Sequence, residues 1–216
     1  MDPKRPAPTL DALRRRAADC TACDLYKRAT QTVFGEGPAR APIVVVGEQP
    51  GNEEDLAGRP FVGPAGRLLD QALAEAGLDR RRIYVTNAVK HFKWKATSGG
   101  KRRIHERPRP EEVEACHPWF EQELWMIRPA VLICLGVTAA QAVLRRRVTI
   151  RDARGHALVS PQGIPTFVTI HPSAILRVPD RDSREAELHR LASDLRRAAA
   201  RARDRHVSRA VEETTR

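Results

Sequence analysis

The sequence predicts an α/β domain built on a mainly parallel sheet, and three observations carry that prediction. Four short, continuous apolar runs stand at "IVVVG" (43–47), "IYVTNAV" (83–89), "AVLICLG" (130–136) and "TFVTI" (166–170), as expected of strands buried on both faces. Segments with apolar residues at helical spacing alternate with them, the pattern of strand–helix–strand units. Gly-containing or polar stretches follow the runs, and the carboxyl ends of parallel strands are where such sheets hold ligands.

Residues 1–8 are Pro-rich and read as a loose N-terminus. Thr9 is placed to cap a helix in which Leu10, Leu13 and Ala17 share a face, ending near Cys20. Gly63 to Ala76 forms a second helix with Leu68, Leu69, Leu73 and Ala76 inward, stopped by Gly77. "PEEVEACHPWFEQELWMI" (110–127) is helical from Pro110 and its acidic first turn, with Pro118 expected to kink or split it. "VTAAQAVLRRR" supplies another helix after Gly136. Asp182 and Glu185 have capping-box spacing for a last helix carrying Leu188, Leu191 and Leu195. The expected organisation is one domain over 9–204 and a charged tail over 205–216, without repeats or linkers.

A chain of 216 residues with 41% hydrophobic content can bury one sizeable core. Its formal charge of +11 comes from 38 Lys and Arg against 27 Asp and Glu. Such a balance fits a polyanionic partner, most simply nucleic acid, or an arginine-rich composition with no partner behind it. Aromatic residues make up only 5%, which argues against an aromatic-rich binding face. No stretch approaches the roughly 20 apolar residues that span a bilayer, and the first residues lack a secretory core, so no membrane and a cytoplasmic location are expected. Disulfides are disfavoured there, so four cysteines need another explanation.

Cys20 and Cys23 form C-x2-C, while Cys116 and Cys134 lie downstream, separated by 17 residues. Four thiolates suit zinc or a [4Fe–4S] cluster, and Cys134 within "LICLG" also suits a buried apolar position. At the strand ends, "GEQPG" (47–51) offers close backbone approach at Gly47 and two polar side chains, Glu48 and Gln49, or is an ordinary turn. Asn87 can both donate to and accept from a base edge, or satisfy its own backbone. Phe61 is suited to stacking on a base or to core packing. "HPSAILR" (171–177) puts His171 where it can stabilise an anionic leaving group, and Ser173 where it can meet a phosphate. Ile175 and Leu176 would wedge into a base stack or tuck into the core. "KRRIH" (101–105) leaves the same sheet edge on a long basic loop.

Together these elements resemble the uracil-DNA glycosylase superfamily, specifically its iron–sulfur branch of families four and five, with the group called UdgX as nearest match. The resemblance covers about residues 9–200. It rests on "GEQPG", where family four typically has alanine in place of Gln49, on "HPSAILR", on the four cysteines in order, and most specifically on "KRRIH" in an inserted loop. It implies an α/β/α sandwich around a four-stranded parallel sheet, a [4Fe–4S] cluster on Cys20, Cys23, Cys116 and Cys134, and a DNA-repair glycosidase acting on uracil in DNA, single strands included. Gly47 and Phe61 would line the uracil site, Asn87 would read the base edge, and His171 would hold O2 as free uracil departs. Lys101, Arg102, Arg103, Ser173 and Arg177 would contact phosphates. Glu48 and Gln49 would line the reaction centre, and His105 would attack C1′ in place of water, leaving a covalent protein–DNA adduct after one turnover. A protein that grips one flipped nucleotide needs no second chain, so a monomer is expected.

Overall fold

The structure, a computed structural model, describes residues 9–97 and 102–214, with side chains to residue 203. The loose N-terminus expected over 1–8, and Lys101, lie outside the described residues. In chain order the elements are α1 (Leu10–Ala18), a 3-10 turn (Asp24–Lys27), β1 (Ile43–Gly47), α2 (Asn52–Ala57), α3 (Pro64–Glu75), a second 3-10 turn (Arg80–Arg82) and β2 (Ile83–Asn87). They continue with β3 (Trp94–Ala96), β4 (Arg103–His105), α4 (Pro110–Ile127), β5 (Val131–Leu135), α5 (Val137–Leu144) and α6 (Ile150–Ala153). Last come β6 (Leu158–Val159), β7 (Pro165–Thr169), α7 (Pro172–Leu176) and α8 (Arg181–Thr214).

The main sheet runs β2-β1-β5-β7-β6. Its first four strands are the four apolar runs, and they pair in parallel. The sheet is nevertheless five-stranded: the two-residue β6 adds antiparallel to β7, too short to leave a period-two signal. Because side chains alternate across a strand, each apolar run feeds two layers. Val45, Val85 and Ile133 face a layer with Leu69, Leu73, Leu191 and Leu195 from α3 and α8. Val44, Val46, Tyr84 and Leu132 face one with Phe120 and Leu124 of α4 and Ala139 and Val143 of α5. Helices on both faces explain why these strands are apolar throughout.

The Thr9 cap of α1 is as expected, while α4 and the start of α8 differ from expectation. α1 is capped by Thr9, whose Oγ1 accepts from Ala12 N, and stops at Ala18, before Cys20. α4 is one uninterrupted helix: Trp119, Phe120, Leu124 and Ile127 are all buried beyond Pro118. At roughly 1.5–3 kcal/mol each, their burial outweighs the ~3 kcal/mol cost of an internal proline. α8 is capped by Asp180, whose carboxylate accepts from Ser183 N at 2.7 Å, rather than by Asp182, and it continues through 205 to Thr214. No helix among the described residues is long and apolar enough to cross a membrane.

The chain leaves β1 for β2 on one side and returns to β5 on the other, so strand order reverses at the carboxyl end of β1. There a crevice opens between diverging connections.

Candidate active site

Gly47 closes β1 in register with Asn87 at the end of β2. A Cβ on Gly47 would lie 2.3 Å from Asn87 Oδ1 and 2.8 Å from Phe61 Cζ, so the missing side chain is what lets amide and ring converge. Phe61 adopts a left-handed backbone conformation (φ 57°), unusual for a bulky residue and often retained where a side chain must be aimed. Gly66 permits it, since a Cβ there would overlap the Phe61 carbonyl. The Phe61 ring lies 6.3 Å from that of His171, at the end of β7.

His171 Nδ1 accepts a hydrogen bond from Ser173 N at 3.1 Å, with Ser173 Oγ at 2.8 Å. An occupied Nδ1 lone pair places the ring proton on Nε2, which is then a donor. Burial, with His105 and Arg177 adding to it, lowers the His171 pKa to about 4, so the ring is neutral at neutral pH. Ser173 thus orients His171, and Arg177 is exposed at the same turn. Ile175 is 1% exposed and belongs to the core, while Leu176 is 40% exposed. The short helix α7 turns the two in different directions, since successive residues are about 100° apart.

Arg103–His105 form a strand rather than a loop. β3 and β4 form an antiparallel hairpin in which Trp94 faces His105, Lys95 faces Ile104 and Ala96 faces Arg103. His105 Nε2 lies 3.5 Å from Glu48 Oε1, a charge contact rather than a close hydrogen bond, and its side chain stays 49% exposed. Burial lowers the His105 pKa, Glu48 opposes that shift and Arg177 adds to it. Its ring leans on Phe92, centroid to centroid 6.2 Å.

Two expected roles change. Gln49 is 7% exposed, and its amide fastens the hairpin base instead of lining the reaction centre. Nε2 donates to the Lys93 and Glu106 carbonyls at 3.1 and 3.0 Å, and Oε1 accepts from Lys93 N at 3.1 Å. Arg103 turns inward rather than toward solvent. Its guanidinium donates to Asp55 Oδ2 at 2.6 Å, Asn52 Oδ1 at 2.7 Å and Thr30 Oγ1 at 3.2 Å, and lies over Phe92 and Trp94. Asp55 is wholly buried, and a buried carboxylate is stable only with partners of this kind. Arg102 is exposed on the hairpin and remains available to a polyanion, as does exposed Lys95 on β3, which the sequence reading passed over. No apolar period marked these three-residue strands, so only the hairpin pairing could reveal either residue's direction.

Beneath Asn87 lies a buried ion pair that also went unread. Lys90 Nζ donates to Glu123 Oε2 and Thr86 Oγ1, both at 2.6 Å, and to the Asn87 carbonyl at 2.9 Å. Glu123 also accepts from Tyr84 Oη at 2.8 Å and from Gly35 N at 3.2 Å. Every proton on the ammonium has an acceptor, the condition for keeping such a charge inside.

The four cysteines do not come together. Cys20, Cys23 and Cys116 share one apolar layer between α1 and α4. Burial pushes the Cys116 thiol up to about 12, and Cys20 and Cys23 are near enough to add to the shift. Cys134, on central strand β5, sits in the separate layer under α4 and α5, raised by burial alone. The expected four-cysteine set therefore does not fit one cluster, because the strand pleat points Cys134 into the core. Among the described residues no three donors converge on a single ion position.

A cavity of about 1020 Å3 opens at the opposite end of the sheet, by Pro42, Ile43 and Ile83. None of the candidate site residues lines it.

A family model described as the uracil DNA glycosylase superfamily matches residues 34–196. The chain is 38% identical over 192 residues to a type-4 uracil-DNA glycosylase of Archaeoglobus fulgidus, covering 85% of this chain and 92% of that protein. It is 37% identical over 183 residues to a type-4 uracil-DNA glycosylase of Thermotoga maritima, covering 84% and 88%. A type-5 uracil-DNA glycosylase of Pyrobaculum aerophilum is 30% identical over 180 residues, covering 76% and 74%.

Proposed function

The chain belongs to the uracil-DNA glycosylase superfamily, and from that premise we propose that it excises uracil from DNA and is captured on the product through His105, as in UdgX. The observation that carries the second half is the placement of a neutral-leaning imidazole 3.5 Å from the Glu48 carboxylate at the crevice of the sheet. A glycosylase that uses only water has no need of a nucleophile held there.

A uracil nucleotide flips out of the strand, most easily from single-stranded DNA, where no pairing is lost. Phe61 stacks on the base and Asn87 hydrogen-bonds its edge. The C1′–N1 bond breaks, and its electron pair leaves with uracil. His171 Nε2–H donates to O2 and so stabilises the departing anion, as a preorganised donor does at any developing oxyanion. The lone pair of a His105 ring nitrogen then bonds to the positive C1′, while the other nitrogen keeps its proton. The resulting imidazolium is offset by Glu48. Uracil takes a proton from solvent, and the protein remains joined to the abasic strand.

Arg102, Ser173 and Arg177 bind flanking phosphates, as, in this reading, does Lys101. Arg103 and Gln49 hold the hairpin so that His105 meets the sugar. Cys20, Cys23 and Cys116 would hold a [4Fe–4S] cluster, which would tie α1 to α4 and supply a structural joint rather than a reaction step. The protein acts as a monomer in the cytoplasm, and one nucleotide fills one site.

The test is denaturing electrophoresis of protein mixed with a uracil-containing oligonucleotide. A shifted band stable to SDS and heat is expected, absent with His105→Ala. Release of uracil over many turnovers without any shifted band would mean that water is the nucleophile.

A further inference from the structure

The carbonyl of Asn87 stands on the outer edge of β2. Its neighbour Ala88 turns its N–H inward, to the Gly47 carbonyl at 2.9 Å. Earlier on the outer edge, Val85 N and O exchange hydrogen bonds with Glu36, both at 2.8 Å. Backbone groups two residues apart point to the same edge, so the Asn87 carbonyl comes next, past the end of that bridge. The ammonium of Lys90 fills the place, donating to the carbonyl at 2.9 Å. Resting on the reading that Asn87 contacts the base, we propose that Lys90 is a positioning residue: its ammonium fixes the strand end that carries the Asn87 amide, and Glu123 fixes the ammonium.

Lys90 is itself held at two points along α4. Its backbone N–H donates to Cys116 Sγ at 3.2 Å, and its Nζ donates to Glu123 Oε2 at 2.6 Å, two turns further on. Thr86 Oγ1 accepts from Nζ at 2.6 Å, and the Phe34 ring centroid lies 5.5 Å from it. Lys90, Glu123, Thr86 and Asn87 are all buried, and a buried carbonyl that loses its donor has no water to replace it.

The strand end has little room to drift. A Cβ on Gly47 would lie 2.3 Å from Asn87 Oδ1, so the amide is seated directly against the bare glycine. Any movement of the Asn87 backbone moves the amide relative to Gly47 and Phe61. The two oxygens of Glu123 divide their work. Oε1 accepts from Tyr84 Oη and Gly35 N, whereas Oε2 receives the ammonium.

That division supplies the test. Lys90→Met combined with Glu123→Gln removes the ammonium and leaves no unpaired charge in the core. The Met side chain fills the space and the Gln carbonyl can still accept from Tyr84 and Gly35, so an unfolding midpoint near that of wild type is expected. Single-turnover excision from uracil-containing single strands is expected to fall by roughly tenfold or more, as misplacement of a contacting group does. Added to Asn87→Ala, the same pair is expected to change the residual excision by less than about twofold, because the group it positions is gone. In a crystal structure of the pair variant the Asn87 amide is expected to leave its wild-type place. Lys90→Gln with Glu123→Gln keeps a shorter N–H donor, so its loss should be smaller and should likewise vanish in the Asn87→Ala background; it takes over the cycle and the crystal structure if the first pair does not fold. An equal loss in both Asn87 backgrounds, or an unmoved Asn87 amide, would overturn the positioning role and leave Lys90 a packing residue. A wild type that excises no uracil would overturn the function reading, while the place of Asn87 in the variant crystal still decides this one.

Discussion

Arg103 and Asp55 form a 2.6 Å ion pair in which the carboxylate is wholly buried and the guanidinium lies against the rings of Phe92 and Trp94. The pair ties β4 to α2, two residues before His105. Removing one partner leaves the other's charge or dipole unmet, which for buried pairs costs about 3–5 kcal/mol. Arg103→Ala is therefore expected to lower the unfolding midpoint and to cut adduct formation severely. Arg103→Lys should rescue little, because an ammonium cannot serve Asp55, Asn52 and Thr30 from one plane. Thermal melts and adduct yield on uracil-containing single strands measure both effects.

Gln49 makes three hydrogen bonds across the hairpin base. Each is worth about 1 kcal/mol net. Gln49→Ala is expected to loosen the hairpin without unfolding the sheet, so water competes with His105 at C1′. The ratio of free abasic product to covalent adduct should rise, read on one denaturing gel beside an alkali-cleaved control.

In the proposed mechanism the nucleophile is the neutral form of His105, and burial holds its pKa below the ordinary ~6.5. The single-turnover adduct rate should therefore climb with pH below that value and level off before neutrality. Arg177→Ala removes a charge that depresses His105 and His171 alike, so the rising limb should move to higher pH. For stability the sign is the same. His171 is neutral with a pKa of about 4, so the unfolded chain binds more protons between that value and roughly 6.5, and stability falls as pH drops through the window. Rates and melts over pH 4–8 at constant ionic strength test both.

Gly47→Ala would bring a methyl within 2.3 Å of Asn87 Oδ1 and 2.8 Å of Phe61 Cζ. The base site closes while the strand pairing of β1 survives. Loss of uracil excision by at least tenfold is expected with an unfolding midpoint near that of wild type, since about 1.4 kcal/mol of lost transition-state binding already accounts for tenfold. Normal excision by the variant would show that neither side chain contacts the base.

The four parallel strands were legible because burial on both faces writes itself as unbroken apolar runs, and "GEQPG" and "HPSAILR" were legible because they follow two of those runs. His105 drew attention through its neighbours in sequence. The direction of each "KRRIH" side chain was not legible: in a three-residue strand, alternation cannot be read without its partner. Nor was the service of Gln49, whose bonds go to Lys93 and Glu106, 44 and 57 residues away.

The cysteines mark the same boundary. By itself the sequence determined an α/β sheet, the strand ends that form the crevice, and thiols in a number fit for a cluster. Tertiary structure alone decided that Cys134 points into the core, that Arg103 serves Asp55 instead of a phosphate, and that Lys90 N meets the Cys116 thiol. The reason is physical: apolar periodicity is a local property of the chain, whereas the partner of a buried charge or a metal donor is chosen by whichever distant segments the core brings within about 3 Å.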